Sequence, residues 1–299
     1  MQVAGAGTHY IVYNSRSDVL SLTVFADGHE GARGARTDKL DRDIAAIRDD
    51  PNAYWLHLGD YADFISTSDR RRFDPAVLDP TIPIEAMGYL GKYLVTRVRD
   101  RFAPIAHKCI GIGYGNHEWY YMKEEEQQDL HGWLCQELGV PNFGYCFITD
   151  VAFIRCSRGK PGLYRERPYK KGGQTWTRRI FGHHGASCAQ TPGGRIKHID
   201  DAMHQYNADI YLLAHVHGQA VAPPHVVLGA NHDCSRIQPY YKLGAITGSY
   251  LETYPEGAGA GYGERRMYRP SHLGAIKVYF EPDKRKAWIP TVVQWEDAT

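Results

Sequence analysis

Residues 19–30, VLSLTVFADGHE, decide how the chain is read. A β-rich apolar run ends at Phe25 and gives way at once to Asp27 and His29. One such pair is more often a hydrogen-bonded turn after a strand than a metal site. The pattern recurs, however. YWLHLGD (54–60) ends in Asp60, with Asp63 three residues on, and CIGIGYG (109–115) leads into Asn116, His117 and Glu118. TRRIFG (177–182) leads into His183 and His184, and DIYLLA (209–214) into His215 and His217. Open α/β sheets bind ligands outside the carboxyl ends of their strands, so residues distant in sequence can converge there.

Between these runs the apolar spacing is helical. Leu40, Ile44 and Ile47 share a face, as do Met87, Leu94, Val98 and Phe102, and then Ile196, Ile199, Met203 and Tyr206. Alternation of this kind predicts a layered α/β fold. Past residue 219 the helical pattern stops. VVLG, KLGAITGSYL, GAIKVYF and AWIPTVVQW predict mostly antiparallel strands that complete a second sheet, and the Gly-rich segment 255–270 reads as a loop. The expectation is one unit over 1–299, with the chemical motifs in 19–218 and a β-rich part in 219–299.

Composition removes several classes. With 35 basic and 34 acidic residues the net charge is +1, so the chain as a whole is neither a nucleic-acid-coating protein nor an acidic tail. Its six cysteines form no CxxC pair and are expected to be reduced thiols. No stretch has the roughly 18 consecutive apolar residues of a membrane span, and the first twenty lack a signal-peptide pattern. A soluble cytoplasmic protein with no membrane partner is the expectation. Histidines outside the motifs, such as His198 and His204, are expected to face solvent.

The ordered set DxH, GDxxD, GNHE, GHH and HxH resembles the calcineurin-like metallophosphoesterases, over about residues 19–218. Ala214 stands where that family usually has glycine, a backbone position and not a ligand. GANHDCS (229–235) imitates GNH(D/E) but lies after the HxH motif, out of order. The resemblance implies a four-layer α/β/β/α sandwich with two mixed β-sheets. It implies Asp27, His29 and His217 around one metal ion, Asn116, His183 and His215 around another, and Asp60 between them. His184 is the alternative to His183 and otherwise a wall residue. His117 would contact the phosphate and protonate the leaving group, work suited to a side chain titrating near neutrality. Asp63 and Glu118 would orient ligand histidines.

Two divalent ions about 3.5–4 Å apart clamp the attacking and leaving oxygens of a phosphoester and generate a hydroxide near neutral pH. Nitrogen and oxygen donors without thiolates suit manganese first, then iron, zinc, nickel or magnesium. Purple acid phosphatases carry a tyrosine where Asp63 stands, so the tyrosinate class is not expected. Residues 155–179 hold nine Lys and Arg against one Glu, with Tyr164, Tyr169 and Trp176 interleaved. That is either a solvated hairpin or a nucleic-acid groove. Trp176, Arg178 and Arg179, with Arg265 and Arg266 from the Gly-rich loop, are the candidate substrate contacts. The reading is a phosphodiesterase, a nuclease or nucleotide phosphodiesterase, using a metal-bridging hydroxide. A phosphomonoesterase acting on a nucleotide or phosphoprotein is the alternative. A non-catalytic binding module of the same fold would show broken motifs, whereas every ligand position here is filled.

Overall fold

The computed structural model describes residues 4–65, 69, 73–125, 129–169, 175–186, 189, 191–231, 233–256 and 262–290. Its strands are β1 (Ala4–Tyr13), β2 (Leu20–Phe25), β3 (Ala53–His57), β4 (Cys109–Gly113), β5 (Asn142–Gly144), β6 (Cys146–Arg155), β7 (Gly162–Tyr164), β8 (Thr175–His183), β9 (Ile210–Leu213), β10 (Ala220–Val221), β11 (His225–Ala230), β12 (Ile237–Ile246), β13 (Ile276–Glu281) and β14 (Lys286–Trp288). The main helices are α1 (Thr37–Asp49), α2 (Leu90–Phe102), α3 (Asn116–Tyr120), α4 (Leu130–Leu138) and α5 (Pro192–Gln205).

Two mixed sheets result. One runs β14-β13-β2-β3-β4-β5, with β2 to β5 parallel and β13 antiparallel to β2. The other runs β10-β12-β9-β8-β6-β1-β7, with β11 paired to β12. Strand periodicity sets the layers. Leu20, Leu22 and Val24 of β2, and Tyr54 and Leu56 of β3, meet Ile180, Ile210 and Leu212 of the other sheet in a core between the sheets. Their odd-numbered neighbours Phe25, Ala53 and Trp55 pack instead with α1, α2 and α4. Phe181, Tyr211 and Leu213 face Ile199 and Met203 of α5. The order is therefore helices, sheet, sheet, helix. Burial on both faces explains why β3 and β9 read as unbroken apolar runs.

The C-terminal expectation needs correction. Strands after residue 219 do not build one sheet: β10 to β12 extend the second, where β12 lies parallel to β9, while β13 and β14 extend the first. Residues 291–299, most of the expected AWIPTVVQW strand, lie outside the described residues, as do 257–261 of the Gly-rich loop. No helix among the described residues is long and apolar enough to cross a membrane. Five cysteines are free thiols, and Cys188 is outside the described set.

Three histidines outside the motifs, His9, His57 and His131, are buried, against expectation. His57 accepts the Gly59 N–H at Nδ1 (3.0 Å), and His131 lies between the Tyr61 hydroxyl (3.3 Å) and Asn142 Oδ1 (2.9 Å). Burial lowers His57 to about 3 and His131 to about 4. Below the ordinary histidine value near 6.5 the unfolded chain takes up these protons first, so stability falls as pH drops from there toward 4. Each ring costs about 3 kcal/mol by pH 4, together a large share of a typical 5–15 kcal/mol. Denaturant midpoints of metal-free protein between pH 7 and 4.5, before most carboxylates titrate, should therefore decline steeply. A flat profile would contradict the neutral, buried assignment.

Candidate metal centre

Five loops leave the carboxyl ends of β2, β3, β4, β8 and β9 and are stitched together by their own backbone. Asp27 N–H donates to Gly59 O (3.0 Å) and His29 N–H to Asp60 O (3.1 Å). His215 N–H donates to Asp27 Oδ2 (3.0 Å), and Ala214 N–H to His184 O (3.1 Å). The loops after β3 and β4 touch so closely that a Cβ on Gly59 (φ +112°) would stand 2.2 Å from Gly115 N. Asp27, His29, Asp60, His215 and His217 all have positive φ, five of the nine such non-glycine residues among those described. Left-handed backbone is costly for these residue types, and its concentration here marks a functional locus.

Their donor atoms fall into adjoining clusters. Asp27, His29 and His217 form one, Asp60, His184 and His215 a second, each with donor atoms within 4.8 Å of one another. In the first, His29 Nε2 faces His217 Nε2 at 3.2 Å, and Asp27 Oδ1 lies 3.4 Å from His217 Nε2 and 4.0 Å from His29 Nε2. That carboxylate oxygen is buried with no donor of its own. His29 Nδ1 lies 3.1 Å from Asp63 Oδ1 and donates to it, which leaves a bare lone pair on Nε2. Two imidazole nitrogens in contact beside an unpartnered carboxylate oxygen are a donor set that a divalent cation satisfies. The residues fit a metal.

In the second cluster, His184 Nε2 lies 3.1 Å from both Asp60 Oδ2 and Asn116 Oδ1, while its Nδ1 donates to Leu58 O (3.1 Å). It is His184, and not His183, that reaches these groups. His183 is half-buried, accepts the Gly185 N–H (2.7 Å), and lies alongside Phe181. Glu118 braces the floor, accepting N–H bonds from Gly115 (2.7 Å), Asp60 (2.8 Å) and Tyr61 (2.9 Å). His117 sits over the first cluster, edge-on to His29 at 4.7 Å, with Nδ1 held by the Asp63 carbonyl.

Charge follows from this packing. Burial would raise Asp60, but His184 and His117 outweigh it and hold the carboxyl well below its usual range. Asp27 is lowered likewise: burial opposes ionisation, and His217 and His184 overcome it. Burial lowers His215 to about 4. It acts the same way on His117, where Asp60 and Asp63 outweigh it and raise the ring. Glu118, raised by burial and by Asp60, titrates at about 7 despite its backbone donors.

Other expected contacts lie elsewhere. Trp176, Arg178 and Arg179 occupy the amino half of β8, four to seven residues before His183, which is roughly 13–23 Å of strand. Trp176 is buried between the sheets beneath the Arg178 guanidinium (4.3 Å), and Arg179 pairs with Asp150 (2.8 Å). Arg155 pairs with Asp283 (3.0 Å), and Arg165 donates to the carbonyls of Cys109 (2.6 Å) and Ile110 (2.8 Å) at the start of β4. Residues 170–174 are not described. Four of the nine basic residues of 155–179, Arg155, Arg165, Arg178 and Arg179, are thus held by partners away from the donor clusters. Arg265 is exposed and set 3.7 Å from Asp74; Arg266 is exposed. In GANHDCS, Asn231 and Asp233 close the turn between β11 and β12 by bonding Ser235; His232 is not described. Sequence reading missed Tyr145, whose hydroxyl donates to Gly185 O (2.7 Å) while its ring stands edge-on to His184 (5.6 Å). Nothing local in the sequence announces it.

Comparison with known proteins agrees with this geometry. The sequence profile described as calcineurin-like phosphoesterase matches residues 20–219, which span all five loops. No curated protein matches the chain. A solved structure from Streptococcus pneumoniae TIGR4, titled a conserved uncharacterized protein and predicted phosphoesterase, aligns over 88% of this chain and 84% of its own. Its identity is 9% and its TM-score 0.30, too distant a likeness to add to the argument. On the profile match and the convergence of its motif residues, the chain belongs to the calcineurin-like phosphoesterase family.

Proposed function

We propose that the chain is a dinuclear metal-dependent phosphodiesterase acting on a nucleotide-type diester. The observation that carries the metal reading is Asp60, a buried carboxylate whose neighbours link both donor clusters. Asp27, His29 and His217 would hold one divalent ion, with Asn116, His184 and His215 holding the other and Asp60 shared; manganese suits these donors best. When bound, such a pair polarises the phosphoryl oxygens and lowers the pKa of water. The remaining work belongs to side chains. Asp63 fixes the His29 tautomer, and Glu118 fixes the backbone that carries Asp60. His117, anchored through Nδ1, holds a proton at Nε2 for the departing oxygen.

Support for a diester comes from α3. Trp119 and Tyr120 follow Asn116 by three and four residues, so they continue its face of the helix, and each is 43% exposed. Lys123 places its ammonium 5.3 Å from the Trp119 ring. An aromatic shelf with a cation beside the phosphate site suits a second organic substituent such as a nucleoside, whose base stacks on rings. A phosphomonoester would leave this shelf without a role.

With manganese, kcat/KM on bis(p-nitrophenyl) phosphate should exceed that on p-nitrophenyl phosphate by about tenfold or more. His117→Ala should cost about 10²–10⁴-fold on a nucleotide diester, with its poor leaving group, and less on the p-nitrophenyl ester, which departs without a proton. Faster monoester turnover would reverse the assignment in favour of a phosphatase.

A further inference from the structure

Arg195 on α5 is a buried cation without an acid. It is 5% exposed, its Nε reaches the Ala189 carbonyl only at 3.4 Å, and among the described residues it pairs with no carboxylate. The chain treats other sheltered arginines differently. Arg97 and Arg101 share Glu30 at 2.7 and 3.2 Å, and Arg165 caps two carbonyls. Guanidinium groups are seldom buried unpaired, because their desolvation is then uncompensated.

Its location supplies a reason. The guanidinium lies flat against Gly218, the residue after His217. A Cβ at that position would stand 2.1 Å from Cζ and 2.2 and 2.3 Å from the two Nη atoms. Only glycine lets the arginine come this close to the His217 loop. His272 N–H donates to His217 O (3.1 Å), and the exposed Arg269 adds its charge near Arg195. Burial and Arg269 both lower the Arg195 pKa, and no acid offsets them. The corner next to the first donor cluster is therefore positive before any metal is counted.

Building on the proposed phosphodiesterase reading, we propose that Arg195, assisted by Arg269, is a subsite for a second phosphoryl group of the substrate, the neighbour of the one that reacts. A guanidinium offers paired N–H donors that match a phosphate. The shared chemistry is a chain of phosphates, supplied either by a nucleoside polyphosphate or by the next link of a nucleic-acid strand.

Three substrates test this: bis(p-nitrophenyl) phosphate, with one phosphate; a dinucleoside polyphosphate; and a short oligothymidylate. Arg195→Ala should raise KM for the multi-phosphate substrates by about 10- to 100-fold more than for the single-phosphate diester, with Arg195→Lys between. Whichever multi-phosphate substrate shows the larger ratio identifies the source. Equal effects on all three, or none, would overturn the subsite. A second readout needs neither metal nor turnover: metal-stripped wild-type protein should bind inorganic pyrophosphate by calorimetry, and Arg195→Ala should lose that binding. Should wild type hydrolyse no diester, the function proposal fails while the pyrophosphate arm still decides the subsite. If the alanine variant does not fold, the lysine variant carries both comparisons.

Discussion

Asp60→Asn is expected to lower phosphoester turnover by about 10³-fold or more, the rate equivalent of the several kcal/mol that a metal-held charge supplies. Metal content should fall with it. Asparagine keeps the volume of a side chain that is 1% exposed, so lost packing is not the cause. What disappears is one of the two carboxylates, Asp27 and Asp60, available to offset two divalent cations. The carboxylate is an anion at every working pH, since His184 and His117 outweigh the burial that would protonate it. Its oxygens now accept the His117 N–H (2.9 Å) and face His184 Nε2 (3.1 Å). An amide can present only one acceptor, so one of those contacts becomes donor against donor. Metal analysis and turnover on the same preparation decide the matter. A variant that keeps two ions per chain and turnover within about tenfold of wild type would remove Asp60 from the shared position that the mechanism gives it.

How far the site could be read in advance depended on which interactions are local. VLSLTVF and YWLHL declared themselves as strands because both of their faces are buried, and a polar residue after such a strand stands out. By contrast β1, whose first half is the featureless AGAG, and β6, which interrupts its apolar residues with Thr149 and Asp150, lead into no motif and were not read. The placement of β12 beside β9 was also hidden, because pairing between distant segments leaves no local mark. Positive φ at five candidate ligands is likewise imposed by the meeting of loops and written in no single residue. The basic run 155–179 stayed open between two readings for a related reason: composition shows charge, while the partners of Arg155, Arg179 and Arg178, namely Asp283, Asp150 and Asp209, come from elsewhere in the chain.

The GHH motif shows how one residue of strand changes an assignment, and it yields the second large effect. β8 was expected to end before His183; it continues through that residue, which pairs with Cys146 and Leu213. Side chains alternate along a strand, so His183 shares the side of Phe181 toward α5, and the next residue turns into the crevice. His184→Ala should therefore cost more than the 10–100-fold typical of an outer partner, with loss of metal, whereas His183→Ala should retain metal and most turnover. A pH signature accompanies this. In the metal-free protein burial acts to lower His184, but Asp60, by charge and hydrogen bond, outweighs it and raises the ring to about 9. A ligand imidazole must be neutral, so metal uptake displaces that proton, and affinity should climb by about tenfold per pH unit up to about 9. Since the folded pKa lies above the unfolded value near 6.5, the Asp60–His184 pair stabilises metal-free protein fully below that pH. The contribution, about 3 kcal/mol, is lost as pH rises through 9. Metal titrations and melts from pH 6 to 9 measure both trends, and both should vanish in His184→Ala. If His183→Ala instead strips the metal and flattens the profile, the strand parity argued for β8 is wrong, and His183 is the ligand.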